Sequence, residues 1–159
     1  MEKPITFRLN GEPVRVDVQT YDTALDVLRR TLDLRGTRAT CGIGICGACT
    51  ILVAGHPISG CLLLAPMLDG QEITTIEGLS HNGELDPVQQ AFLECMGFQC
   101  SYCTPGIILT IRSLLAEIPD PSVEQIKEYL AGNLCRCGSY VKIIESVQRA
   151  SQMLQAQTV

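Results

Sequence analysis

No stretch of the 159-residue sequence holds eighteen consecutive apolar residues, so none is long enough to cross a bilayer as a helix. The amino terminus, MEKPITFRLN, lacks the apolar run of a secretory signal, and a cytoplasmic protein with no membrane insertion is the expectation. There is no basic run either. With 12 Lys and Arg and a net charge of -5, the electrostatic footprint of a nucleic-acid binder is missing. Charged residues are scarce at 18% while 46% of residues are apolar, which points to a surface partly covered by a partner. No Ser, His and Asp arrangement, phosphate-cradling loop or pair of catalytic carboxylates stands out, so no bond-making residue is expected.

What the sequence does have is nine cysteines. In a reducing compartment so many thiols read as metal ligands rather than disulfides, and an odd count argues the same way. Metal also answers a stability problem. If the chain divides into two halves of about 80 residues, each core supplies only a few kcal/mol and needs a staple.

The pattern of apolar residues changes part-way along the chain. Ile5, Phe7 and Leu9 alternate, Asn10-Gly11 follows, and Val14, Val16 and Val18 alternate again, which predicts a β-hairpin. Asp22 or Thr23 is placed to cap a helix carrying Leu25, Leu28 and Leu32 on one face. Short strands are expected within TILVAG at 50–55 and QEITTIEG at 71–78. From about residue 84 the period is helical. Asp86 and Pro87 start a helix with Val88, Ala91, Phe92 and Cys95 on one stripe, and Ile107 to Leu115 form a second that stops before Pro119. Ser122 and Gln125 make a capping box for a third, and Ile143, Ile144, Val147 and Leu154 mark a fourth. The expected class is α+β, with a small mixed-sheet domain at 1–78, a linker at about 76–84, and a four-helix domain at 84–159.

Cys41, Cys46 and Cys49, followed by the distant Cys61, have the C-x4-C-x2-C spacing of plant-type [2Fe-2S] ferredoxins. Gly42, Gly44 and Gly47 between them allow backbone N–H groups to approach cluster sulfurs. A structural zinc site is the competing reading. The second set is Cys100 and Cys103, then Cys135 and Cys137. It sits at helix boundaries that bring four thiols to one end of the bundle. Zinc would want the same number of ligands, although a C-x-C pair is unusual in structural zinc sites. Arg136 lies between two of these cysteines, placed either to offset cluster charge or simply as an exposed side chain. Cys95 reads as a buried structural thiol, and His56 and His81 as surface side chains. Tyr102 and Tyr140 follow ligand cysteines and either pack over a bound group or are ordinarily buried.

Three motifs in order, GTRATCGIGICGACT, GFQCSYCTPG and GNLCRCGSY, resemble the small iron-sulfur subunits of the xanthine oxidase family of molybdenum hydroxylases, across nearly the whole chain. The resemblance implies a β-grasp ferredoxin domain holding one [2Fe-2S] cluster on Cys41, Cys46, Cys49 and Cys61. It also implies a four-helix domain holding a second on Cys100, Cys103, Cys135 and Cys137. By the same resemblance Gln99, Cys100 and Cys137 lie near the molybdopterin dinucleotide cofactor of a large subunit, with Gln99 hydrogen-bonding the pterin. Electrons would run through the helical-domain cluster and then the ferredoxin-type cluster to FAD on a medium subunit or to another acceptor, in a heterotrimer or its dimer. Two departures stand out: Ser101 where the family usually has glycine, and Gly138-Ser139 where it has Thr-Gly. A free-standing two-cluster ferredoxin and a zinc-binding adaptor are the alternatives.

Overall fold

The fold is drawn from a computed structural model that describes residues 1–157. Strands β1 (Glu2–Leu9) and β2 (Glu12–Gln19) pair antiparallel in the register Leu9↔Glu12, leaving a two-residue turn at Asn10-Gly11. Both turn residues have positive φ, the signature of a type I′ hairpin and the reason the Asn-Gly pair is legible in sequence. Helix α1 (Ala24–Asp26) follows, capped by Thr23 in a reciprocal box with Asp26. It is shorter than the leucine spacing predicts, because the chain continues as a π-helical turn over Val27–Thr31.

Strands β3 (Thr50–Val53), β4 (His56–Ser59) and β5 (Glu72–Thr74) complete one mixed sheet of order β2-β1-β5-β3-β4. The β1–β5 pairing is parallel and the other three are antiparallel. Strand β4 is an addition to the expected elements; four residues containing a proline carry no alternation to detect. Ile5, Phe7, Leu9, Val18, Val27, Leu28, Ile51 and Ile73 form the core under the sheet.

Four α-helices follow. They are α2 (Pro87–Glu94), α3 (Thr104–Glu117), α4 (Val123–Tyr129) and α5 (Tyr140–Gln157). The sequence signals are satisfied atom by atom: Asp86 caps α2 with Pro87 at its first turn, and Ser122 and Gln125 form the box that opens α4. Helix α3 is the hub, packing on α2 and α4 and also against β3 and β4. A second core of Phe92, Ile107, Ile111, Leu114, Ile126, Ile143 and Val147 reaches into the first half through Leu52 and Leu79. Each of these side chains, nearly sealed from solvent, stabilises the fold by about 1.5–3 kcal/mol. Cys95 departs from expectation. It ends α2 as its C-cap and is partly exposed, because the helix closes there instead of carrying the stripe one turn further. His56 and His81 are exposed, as expected of surface histidines.

Candidate metal centres

The loop between α1 and β3 wraps Cys41, Cys46 and Cys49, and Cys61 closes on them just after β4. Cys41 and Cys46 are half-buried, whereas Cys49 and Cys61 are buried. The loop is a nest of donors. The N–H of Ile43, then the N–H and thiol of Cys46 and the N–H of Ile45, hold the Cys41 thiol down to about 6. Burial pushes the Cys49 thiol up to about 11, partly offset by the Cys61 N–H. The first position therefore favours a thiolate already in the bare loop, and the inner position needs a metal's charge to ionise it.

In the second set Cys100 and Cys103 lie just before and at the N-cap of α3, and Cys135 and Cys137 lie between α4 and α5. Cys103 and Cys135 face inward, while Cys100, Cys137 and the neighbouring Gln99 form an exposed edge. The Tyr102 N–H and the Cys137 thiol lower the Cys100 thiol, and burial together with Cys135 pushes Cys103 up to about 12. Burial also raises Cys135. The N–H groups of Ser139 and Gly138, the Cys103 thiol and the Ser139 hydroxyl outweigh it and leave this thiol below its ordinary value. The Cys135 N–H donates to Tyr140 Oη at 2.8 Å, which fixes the ligand loop to the start of α5. Arg136 is exposed.

Within each set the thiols act on one another, most strongly Cys41 with Cys46, Cys49 with Cys61, Cys100 with Cys137, and Cys103 with Cys135, while Cys46 also acts on Cys49 and Cys135 on Cys100, so that each set of four is gathered in one place. Among the described residues no three His, Cys, Asp or Glu side chains converge as the ligands of a single ion. Two pairs in each set are what a two-iron cluster asks for, with two thiolates on each iron; a tetrahedral zinc ion draws all four to one point. Three buried polar side-chain atoms have no hydrogen-bond partner among the described residues: Thr37 Oγ1, Arg38 Nε and Ser139 Oγ. All three can donate, and each belongs to a loop that carries thiols, so the surroundings suit an acceptor-rich, negatively charged group.

The two sets are neighbours. The Leu134 N–H donates to the Cys46 carbonyl at 2.9 Å, and the Asn133 side chain donates to the Gly47 carbonyl at 3.2 Å. Tyr102 Oη donates to the Ala39 carbonyl at 2.7 Å, with the Arg38 guanidinium 5.6 Å from its ring centroid. Gly47 has φ +65°, and a Cβ there would overlap Gly132 and Asn133. The sequence left Tyr102 either packed over a bound group or ordinarily buried; it is exposed instead, because its hydroxyl reaches out to the other loop. It did not show Asn133 and Leu134 as bridges between the loops, nor Gly106, where a Cβ would overlap the Gly47 carbonyl oxygen. Gly106 carries only the ordinary signal of a glycine at a helix start.

The family described as 2Fe-2S iron-sulfur cluster binding domain matches residues 7–79, and that described as [2Fe-2S] binding domain matches residues 75–148. A nicotinate dehydrogenase subunit from Pseudomonas putida is 42% identical over 152 residues, covering 96% of this chain and 97% of its own length. A probable xanthine dehydrogenase subunit from Bacillus subtilis is 47% identical over 150 residues, covering 93% and 86%.

This chain belongs to the small iron-sulfur subunits of the xanthine oxidase family of molybdenum hydroxylases.

The iron-sulfur subunit also superposes on the crystal structure of quinoline 2-oxidoreductase from Pseudomonas putida 86. The TM-score is 0.94 at 38% identity over 99% of both chains, and the α+β, ferredoxin-like fold is shared. As one component of such oxidoreductases it carries electrons, in keeping with two thiol-lined centres. No helix among the described residues is long and apolar enough to cross a membrane.

Proposed function

We propose that Cys41, Cys46, Cys49 and Cys61 hold one [2Fe-2S] cluster, and that Cys100, Cys103, Cys135 and Cys137 hold a second. The gathering of eight free thiols into two sets of four carries this reading. The clusters supply one-electron chemistry, and the protein's part is to bind them, exclude water and set their potentials. The donor nest at Cys41 and the unpartnered buried donors support that part. In this reading residues 1–78 are a β-grasp ferredoxin domain and residues 84–159 a four-helix bundle domain.

The subunit passes electrons from a molybdopterin dinucleotide centre on a large partner subunit to FAD on a medium subunit or to another acceptor. They go first to the helical-domain set and then to the ferredoxin-type set, within a cytoplasmic heterotrimer or its dimer. The open edge of Gln99, Cys100 and Cys137 is the side turned to the pterin, with Gln99 its hydrogen-bonding residue. Exposed apolar side chains accompany both cysteine sets. Ile43 (64% exposed), Ile45 and Leu62 lie in or beside the first, and Leu134 and Val141 (71%) flank the second. Apolar surface of this kind fits burial under partner subunits.

The test is metal content and low-temperature EPR of the native complex. About four irons per chain, as two [2Fe-2S] clusters require, with co-eluting molybdenum and two distinct signals after dithionite reduction are expected. Zinc in place of iron would overturn the assignment, and iron without molybdenum would make the chain a free-standing ferredoxin.

A further inference from the structure

Ser139 opens α5: its carbonyl accepts the Ile143 N–H at 2.9 Å, the first bond of the helix. A serine at this position ordinarily turns its hydroxyl to a backbone N–H two or three residues on. Ser139 does not. Its side chain is buried, the residue only 7% exposed, and Oγ has no hydrogen-bond partner. It lies instead on the side of Cys135, whose thiol it helps to hold below its ordinary value without completing a hydrogen bond to it. Gly138, at φ +79°, makes the turn that brings it there. A buried hydroxyl left unpaired is costly, so an acceptor is needed at that spot.

We propose that the Ser139 hydroxyl donates to the sulfur of the helical-domain cluster at Cys135 and holds that cluster's reduction potential up. This rests on the ligand assignment made above. The physics is direct. Taking up one electron converts one ferric ion to ferrous, breaks no bond, and leaves the cluster one unit more negative. A hydrogen bond donated to a ligand sulfur stabilises the more negative form more than the less negative one, so the potential rises. The hydroxyl therefore sets how readily this particular chain draws electrons from its donor, and it is a positioning and tuning residue rather than a catalytic one.

The experiment is a mediated redox titration, followed by EPR, of the complex carrying Ser139→Ala or Ser139→Thr. The signal that Cys103→Ser abolishes is taken as that of the helical-domain cluster. In Ser139→Ala that signal should half-develop at a more negative potential, with the ferredoxin-type signal unmoved and the iron content per chain unchanged. Ser139→Thr, which keeps the hydroxyl, should titrate like the parent. Superposable Ser139→Ala and parent titrations would overturn the proposal, as would an equal shift of both signals or loss of half the iron, since Ser139 would then be merely structural. If the parent protein itself lacked two [2Fe-2S] signals, the ligand assignment would fall instead, so the two failures are distinguishable.

Discussion

Replacing Gly106 by alanine should weaken the protein, although alanine inside a helix normally stabilises relative to glycine by roughly 0.8–1 kcal/mol. Gly106 lies in the first turn of α3, against the loop of the other cysteine set. A Cβ there would overlap the Gly47 carbonyl oxygen and would stand 3.4 Å from the Ala48 carbonyl. That oxygen cannot step aside cheaply. It accepts the Thr50 N–H at 3.2 Å, the Thr50 hydroxyl at 2.7 Å and the Asn133 side chain at 3.2 Å. Overpacking of a tight contact costs about 1–3 kcal/mol, and each strained hydrogen bond adds about 0.5–1.5 kcal/mol. After the helix-propensity gain, a net loss of about 1–3 kcal/mol is expected. The assay is the first-order bleaching of visible iron-sulfur absorbance at a fixed elevated temperature. If the whole loss appears in the rate, bleaching accelerates by roughly 5- to 150-fold. Gly132→Ala is the control, since a Cβ there meets nothing within 4 Å. The same contact sets the spacing of the two loops, so Gly106→Ala should also alter magnetic coupling between the two reduced clusters. An alanine variant that bleaches no faster than the parent, with unchanged coupling, would refute the claim that the loops meet at this backbone contact.

Three further outcomes follow from the geometry. Cys103→Ser or Cys135→Ser, which removes an inner thiol of the helical-domain set, should abolish one EPR signal and substrate-driven electron flow while leaving the other signal intact; an unchanged iron count and rate would contradict the ligand assignment. Ser101 holds φ +62°, a conformation that costs a non-glycine residue roughly 1–2 kcal/mol. Glycine's greater freedom in the unfolded chain returns roughly 0.5–1 kcal/mol of that, so Ser101→Gly should gain about 0.5–1 kcal/mol, read as slower bleaching, and a faster rate would count against it. After gentle removal of iron by a chelator, iodoacetamide at pH 7 should label Cys41 first and Cys103 last, because their thiols ionise near 6 and 12. A depressed thiol is the thiolate above its pKa, so Cys41 labelling should fall as pH drops through 6, and peptide mass spectrometry showing the reverse order would refute the nest.

Local chemistry was legible in the sequence because its signals span only a few residues. Asn10-Gly11 specifies a hairpin through two positive φ values, and Asp86-Pro87 and Ser122 with Gln125 specify helix starts through bonds to residues two or three away. The C-x4-C-x2-C spacing belongs to the same class, since one tight loop must supply three thiols. Elements too short or too irregular for a period to register escaped it. Strand β4 is four residues long, and α1 turns into a π-helical turn where a regular helix was expected.

Only the tertiary structure decided how thiols pair and how the two sets approach each other. Tyr102 reaches the Ala39 carbonyl across 63 residues of chain, and Asn133 reaches that of Gly47 across 86. Contacts of that span leave no periodicity and no motif, because their partners are fixed by the packing of α3 on β3 and β4 rather than by neighbours in sequence. The same holds for Ser139. The sequence marks it only as a departure beside the second cysteine set, and only its burial near Cys135 shows a hydroxyl without a hydrogen-bond partner, left for a sulfur acceptor.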